Sequence, residues 1–449
     1  MPHSSPHCPG PLLERKCKRG RDRRCVCNWL QGSQSRMRLP ASQCGEGARH
    51  GNPSARMVPE DFVQLRIFDL NCWALRFVSK KRKERLVLIR ELLSQQDYDL
   101  ALLQEIWSDK DYAELRHNLL KVFPHAHRFK SGVIGSGLCV FSRFPIIDCL
   151  QHQFSLNGFP YMVNHGDWFC GKAVGLVKVH AYGFTCHVYI THLHAEYCRE
   201  NDFYQSHRIL QSWELAQFIR HTSNNSEVVL LAGDLNMHPG DLGVKLVQAL
   251  TGLKDAYTEC SQYEGPPDGC TLLPSNPYVD IRELKDFPPG IRIDYIMYKS
   301  EPGIAVTCQL VTTGSRLSGS NTPISDHETV TATLKLQRMT ETNTMSAGTT
   351  DSMISTIFST CSSKLYIGLK SAERWRNISR YFTVLFLLFL LLQCSIIVLP
   401  LQGVPLPPAL LTLTLFILSF ASLVLHTAEE RQLQSVIEQI SLVGNGLRQ

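Results

Sequence analysis

Val228-Val229-Leu230-Leu231-Ala232-Gly233-Asp234-Leu235-Asn236-Met237-His238-Pro239 is the stretch from which the rest of the chain is read. Its opening apolar run, rich in β-branched side chains and closed by a glycine, describes a strand buried on both faces. A buried strand that ends in an Asp and an Asn carries both side chains to the lip of a sheet, where a sheet-based enzyme keeps its chemistry.

Other segments repeat the pattern on either side. Leu100-Ala101-Leu102-Leu103 runs into Gln104-Glu105, Val188-Tyr189-Ile190 into Thr191-His192, and Ile291-Arg292-Ile293 into Asp294. The triplet Ser325-Asp326-His327 precedes a run that ends near Leu336. One such run is ordinary, but several with acids, amides and imidazoles at their ends imply a shared site. Between them, Leu65–Asn71 and Gly137–Phe141 read as strands, Lys83–Leu93 and His207–Arg220 as helices, and Ala173–Lys178 with Phe184–His192 as a hairpin turning at Tyr182-Gly183. Hairpins mixed with crossover helices predict an α/β fold of two packed sheets with helices outside, over residues 61–337.

The 449 residues carry a net charge of +6, but residues 1–60 alone hold 11 Lys and Arg against 4 Asp and Glu. The remainder is close to neutral and lacks the basic field that drives nucleic-acid binding. Residues 1–60, without periodicity, are expected to be a disordered basic extension. They contain no apolar core of a secretory signal, and no cysteine spacing frames a zinc site, so the 16 cysteines are expected to be free thiols in a reducing compartment. Residues 338–380 read as a Ser/Thr-rich linker with one weakly amphipathic piece around Met353–Leu369. Tyr381–Leu399 and Val404–Leu425 are uncharged stretches of about twenty residues, long enough to cross a bilayer as a helical hairpin. Lys364, Lys370, Arg374, Arg376 and Arg380 crowd the entrance to the first span, which by the positive-inside rule places both ends in the cytosol. The tail, residues 427–449, carries Leu433, Val436, Ile437 and Ile440 on one helical face, suited either to a membrane surface or to self-association.

If the strand ends converge, the donors are dominated by oxygen, which suits a hard cation such as Mg²⁺ better than zinc. Glu105 and Asn71, joined by Asp326, are the expected metal ligands. His327 is the expected general base, because its ordinary pKa lies near working pH, and Asp294 its orienting partner. Mg²⁺ beside His and Asp is the equipment for attack by water on a phosphodiester: Asn236 and His192 would donate hydrogen bonds to charge developing on phosphorus, and Asp234 would position or protonate the leaving oxygen, or act through a metal-bound water. Phe159, Tyr161 and Trp168 in the loop Phe159–Trp168 offer faces that attract quaternary ammonium groups or that simply meet lipid.

Leu102-Leu103-Gln104-Glu105, Thr191-His192-Leu193-His194-Ala195-Glu196, Gly233-Asp234-Leu235-Asn236, Ile293-Asp294-Tyr295 and Ser325-Asp326-His327 together resemble the endonuclease/exonuclease/phosphatase superfamily. Leu70-Asn71-Cys72-Trp73 and His165-Gly166-Asp167-Trp168 narrow the resemblance to the two-spanning, Mg²⁺-dependent neutral sphingomyelinases. The resemblance implies a four-layered α/β sandwich (DNase I-like) with a C-terminal two-helix transmembrane hairpin. It implies a phosphate-facing lysine at Lys172, gated by Asp167, with a plain surface ion pair between the two as the alternative. It implies hydrolysis of sphingomyelin to ceramide and phosphocholine, with lyso-platelet-activating factor and related lysolipids as further substrates, and residence in endoplasmic reticulum membranes. The expected partner is a phospholipid or sphingolipid membrane, with anionic-lipid activation and no nucleic acid; a nuclease or phosphoinositide phosphatase is the alternative on the same fold.

Overall fold

The computed structural model describes residues 62–282, 284–317, 322–339, 351–398 and 406–446. The basic extension expected at 1–60, the turn between the two spans and part of the linker lie outside the described residues. The first half contains β1 (Phe62–Asn71), α1 (Arg82–Gln95), β2 (Leu100–Gln104), α2 (Asp109–Leu119), β3 (His125–Arg128), β4 (Cys139–Ser142), β5 (Ile146–Gln153), α3 (Asp167–Cys170), β6 (Ala173–Ala181), β7 (Phe184–His192) and α4 (Gln205–Thr222). It continues through β8 (Val228–Asp234), α5 (Leu242–Thr251), β9 (Lys254–Asp255), α6 (Ala256–Glu259), β10 (Gln262–Glu264), β11 (Asp294–Ser300), β12 (Ile304–Thr313), β13 (Val330–Arg338), α7 (Asp351–Val398) and α8 (Leu406–Gly446).

The strands form two sheets, one in the order β10-β12-β13-β1-β2-β4-β3 and the other β5-β6-β7-β8-β11-β9. Alternate side chains of the central strands fill the space between them: Ile67, Leu102 and Leu334 from the first sheet meet Val188, Leu230 and Ile296 from the second. The opposite faces are also apolar, which forces a helical layer over each. Ile89, Leu93 and Leu115 of α1 and α2 cover Leu70, Leu103 and Phe141, and Leu215, Ile219 and Val247 of α4 and α5 cover Tyr189, Leu231 and Met297. The expected four-layered sandwich results.

Strand direction brings the polar residues to one rim. β1 and β2 are parallel, so Asn71 and Glu105 leave the first sheet at the same edge. β7 and β8 are parallel and place His192 beside Asp234. β11 runs antiparallel to β8 and pairs Asp294 with Asp234. β13 runs antiparallel to β1, so the residues just before it return to where β1 ends. Asp294 therefore opens a strand and does not end one: Ile291–Ile293 lies in the preceding loop, where Ile293 packs with Leu272 and Leu284. An apolar run beside an acid has no direction in sequence, and either polarity reaches the same rim.

The C-terminal part departs from expectation. Residues 351–380, read as linker, form the first half of α7, and Ile357, Phe358, Leu365 and Leu369 pack on Ile209, Trp213 and Leu246. The apolar face Leu433, Val436 and Ile440 of the tail is covered by the protein's own helices. This second cover explains α4, which is buried on almost every side although its spacing suggests one wet face. The middle of the helical pair is the reverse: Leu388, Leu391, Leu392, Leu411, Ile417 and Leu418 all face outward. Among the described residues, α7 and α8 are the two helices long and apolar enough to cross a membrane.

Replacing Leu433 by Ala opens a cavity at this seam and should cost ~2–5 kcal/mol. Thermal unfolding in detergent micelles should show a lowered midpoint; an unchanged midpoint would mean that the tail does not dock.

Candidate active site

The turn after β8 is built by its own side chains. Asp234 Oδ1 accepts the Asn236 backbone N–H at 2.8 Å, and Asn236 takes a positive φ of 50°. The Asn236 amide then donates to the Leu193 carbonyl at 2.9 Å, tying the ends of β7 and β8 together. Gly233 lets the strands close: its φ is 141°, and a Cβ there would lie 2.0 Å from the Thr191 carbonyl oxygen. On the first sheet, Glu105 turns out of β2 at φ 61° and accepts from Asn71 Nδ2 at 3.3 Å and Trp107 Nε1 at 3.4 Å.

Asn71, Glu105, Lys172, His192, Asp234, Asn236, Asp326 and His327 line one cavity of about 750 Å³ together with Asp167. Asp294 stands behind His327, whose Nδ1–H donates to Asp294 Oδ2 at 2.8 Å. His327 Nε2 lies 4.0 Å from Asp234 Oδ2, and His192 Nε2 lies 3.3 Å from that same oxygen. Asn71 Nδ2 donates to it at 3.0 Å and so bridges the two sheets. Lys172 is fully engaged: Nζ lies 2.7 Å from Asp167 Oδ1 and 2.9 Å from His192 Nε2, and donates to the Leu193 carbonyl at 2.6 Å. Both members of the Asp167–Lys172 pair are buried, so it is not a solvated surface ion pair.

The aromatic rings of the loop Phe159–Trp168 meet different neighbours. Trp168 is partly exposed, packs on Phe169 and is not among the cavity's lining residues, which include Phe169 and Tyr197. Phe159 and Tyr161 stack on each other at 5.2 Å and approach His426 on α8. The sequence shows that a loop is aromatic but not which way its rings turn.

The charges are out of balance. Burial lowers the pKa of His327, but the charge and hydrogen bond of Asp294, with Asp326 and Asp234, outweigh it and hold the imidazole well above its ordinary value. Burial alone would raise Asp234; His192, by charge and hydrogen bond, with His327 and Lys172, keeps it well below. Burial, reinforced by Glu105, pushes Asp326 up to about 7. Burial, then the charge of Asp294, raises Asp69 well above the carboxylate range.

Several contributors escape the sequence reading. Asp69 lies two residues before Asn71 on the same strand, so period-two alternation could have found it; it accepts from Gln104 Nε2 at 2.8 Å. The Tyr197 hydroxyl donates to Asp167 Oδ2. Arg85 of α1 donates to the carbonyls of Cys72 (2.8 Å), Trp73 (2.6 Å) and Ile324 (3.1 Å), tying the loop after β1 to the loop before His327. A helical arginine at the end of the charged run Lys80–Glu84 gives no hint of that role.

The residues fit a divalent cation. Buried oxygens of Asp294 (Oδ1) and Asp69 (Oδ2) have no hydrogen-bond partner, and the raised carboxyl groups are short of positive charge. The expected ligands Glu105, Asn71 and Asp326 line one cavity, although Asn71 presents its amide nitrogen to the acids while its oxygen accepts from Trp73 N–H at 3.0 Å. Among the described residues, Asp234, Asp294 and His327 have ligand atoms within 4.8 Å of one another. A cation held there through His327 Nε2 would take the nitrogen that a general base needs, while Nδ1–H can stay on Asp294.

Residues 70–327 match the Endonuclease/Exonuclease/phosphatase family. The chain is similar to sphingomyelin phosphodiesterase 2 of Homo sapiens, 46% identical over 342 residues that cover 75% of this chain and 81% of the relative. It is likewise similar to the Mus musculus protein of that name, 46% identical over 336 residues, 74% and 80% of the two chains. A putative neutral sphingomyelinase of Caenorhabditis elegans is 39% identical over 297 residues, 62% and 67% of the two chains. Among solved structures, sphingomyelinase C from Streptomyces griseocarneus aligns with a TM-score of 0.47 and 19% identity, covering 60% of this chain and 99% of that one. A double-alanine variant of Staphylococcus aureus beta toxin with bound magnesium ions aligns at 0.46 and 20%, with the same coverage.

In metal-free protein, histidine-selective NMR should show His327 titrating above the ordinary imidazole range. Asp294→Asn should move that midpoint to lower pH, because it removes the charge that favours the imidazolium. An unmoved midpoint would contradict the pairing.

Proposed function

The chain belongs to the endonuclease/exonuclease/phosphatase family, and within it to the neutral sphingomyelinases, and from that membership and the site we infer a phospholipase-C-type hydrolase that cleaves sphingomyelin to ceramide and phosphocholine at a membrane surface. The observation that carries the reading is the single cavity in which the His327–Asp294 pair meets Asp234, Lys172 and Glu105.

In the proposed reaction a water oxygen attacks phosphorus, the bond from phosphorus to the ceramide oxygen breaks, and phosphocholine leaves with the new oxygen. His327 in its neutral form, the minor form while the surrounding carboxylates are uncompensated, takes the proton of the attacking water, and Asp294 stabilises the imidazolium so formed, having fixed the proton-bearing Nδ1 beforehand. Asn236 and His192 hydrogen-bond to the negative charge that grows on the phosphoryl oxygens, and Lys172 neutralises part of it. Asp234, held ionised by His192 and His327, positions the ceramide oxygen, which takes a proton from solvent water as the bond breaks, while His327 returns its own proton to solvent. A divalent cation, for which we propose Mg²⁺ on Glu105, Asn71 and Asp326, would offset the phosphate charge and polarise its oxygens. Keeping that cation on the oxygen-rich set leaves His327 free as base.

Two long apolar helices associate the protein with a membrane. Tyr161 and Val163, both exposed, stand on the loop beside His426, where the apolar part of α8 ends. We place the catalytic region on the cytosolic face of an intracellular membrane, the endoplasmic reticulum foremost. Exposed Lys364, Arg374 and Arg380 are available to anionic headgroups there. The near-neutral body argues against nucleic acid as substrate.

Purified protein in mixed micelles should release phosphocholine from labelled sphingomyelin in the presence of Mg²⁺, lose that activity to a chelator, and leave DNA intact. Lysophospholipids in the same assay rank the second substrate class. DNA cleavage without phosphocholine release would overturn the reading. His327→Ala should lower turnover by roughly 10²–10⁴-fold, the usual weight of a general base, with membrane insertion unchanged. Retention of most activity would rule out His327 as base.

A further inference from the structure

The loop Leu156–Gly166, which leads directly into Asp167, is held from behind by a buried hydrogen-bond chain that ends in the C-terminal helix. His207 of α4 is almost fully buried, and its Nδ1 accepts the Gly158 backbone N–H at 3.1 Å. That donor fixes the tautomer: Nδ1 carries no proton, so the ring proton is on Nε2, which donates to Glu429 Oε1 at 3.2 Å. The other oxygen of Glu429 accepts from His426 Nδ1 at 2.9 Å. His426 and Glu429 lie one turn apart on α8, just past the apolar stretch that ends at Leu425. Burial would raise Glu429, yet the two imidazoles keep its carboxyl below the ordinary range.

From Gly158 the connection runs forward to the reacting groups. A Cβ at Gly158 would stand 2.7 Å from His194 Nε2, so the backbone is closely pressed between His194 and His207. Gln211 Nε2 donates to the Leu156 carbonyl at 2.7 Å, Tyr204 OH and His165 Nδ1 share a hydrogen bond of 2.7 Å, and Asn157 Nδ2 donates to the Asp167 carbonyl. Asp167 holds Lys172, which lies against His192. A buried carboxylate with two imidazoles is an expensive way to glue helices, since apolar side chains of similar volume do so as well or better. Its geometry suits placement of one backbone amide.

We propose that Glu429, acting through His207, is a positioning residue for the active site: the membrane-proximal turn of α8 fixes the loop that delivers Asp167 and Lys172, so full turnover requires the C-terminal helix to be docked. This rests on the proposed phosphodiesterase reading and on Asp167 and Lys172 as its substrate-binding pair. Neither Glu429 nor His207 touches the cavity.

The test uses the full chain in detergent micelles, with Glu429→Leu, His207→Leu, the double variant and Glu429→Gln, each assayed for phosphocholine release and for backbone hydrogen exchange. Glu429→Leu and His207→Leu should each lower kcat roughly tenfold, the scale of coupling through such a network, and speed exchange over residues 156–168 while β7 and β8 stay protected. The double variant should be no worse than the worse single, because both cut one link. Glu429→Gln should stay near native, since its amide oxygen still accepts from His207. Native exchange over the loop in both single variants, additive losses, equal damage from Glu429→Gln, or activity falling only with the folded fraction would each overturn the proposal. If the unaltered protein released no phosphocholine, the functional reading would fall, while the exchange comparison would still decide whether Glu429 places the loop.

Discussion

Everything at the site depends on how closely β8 is held between its neighbours. It runs parallel to β7 and antiparallel to β11, and in that register Asp234 lies beside His192 on one side and Asp294 on the other. The contact at Gly233 leaves no room for a side chain against the Thr191 carbonyl. Because strand side chains alternate with period two, a one-residue slip would turn Asp234 into the apolar layer and carry Leu235 to the rim. The packed core on both faces forbids that slip, so bulk hydrophobic packing fixes the catalytic geometry.

The second sheet completes what β8 begins. Asn71 reaches across to Asp234, Glu105 leaves β2 alongside it, and the loop before β13 brings Asp326 and His327 back to the same edge. The result is a concentration of buried carboxylates larger than the nearby imidazoles and Lys172 balance. Such an arrangement is met by protonation, the direction in which Asp69 and Asp326 are pushed, or by added positive charge. In the proposed reaction it also divides the labour: oxygen donors on the first sheet suit a hard cation, whereas the His327–Asp294 pair moves a proton.

Much of this was legible in the chain. Apolar runs ending in Glu105, His192 and Asp234 announce strands and a shared rim, and the hairpin at Tyr182-Gly183 and the helix near Lys83–Leu93 follow from local spacing. Local text could not give the direction of β11, the outward turn of Trp168, or the carbonyl grip of Arg85, because each is decided by segments distant in sequence. The C-terminal region escapes the sequence for a related reason. Weak amphipathicity around Met353–Leu369 and an apolar stripe in the tail look like part of a linker and a free face until α4 and α5 are seen to offer a surface for both.

The most direct test of the division of labour is anomalous diffraction from crystals of the full chain soaked in Mn²⁺. The account predicts an ion bounded by Glu105 and Asp326, with His327 still hydrogen-bonded to Asp294. An ion seated on Asp234, Asp294 and His327 would contradict it.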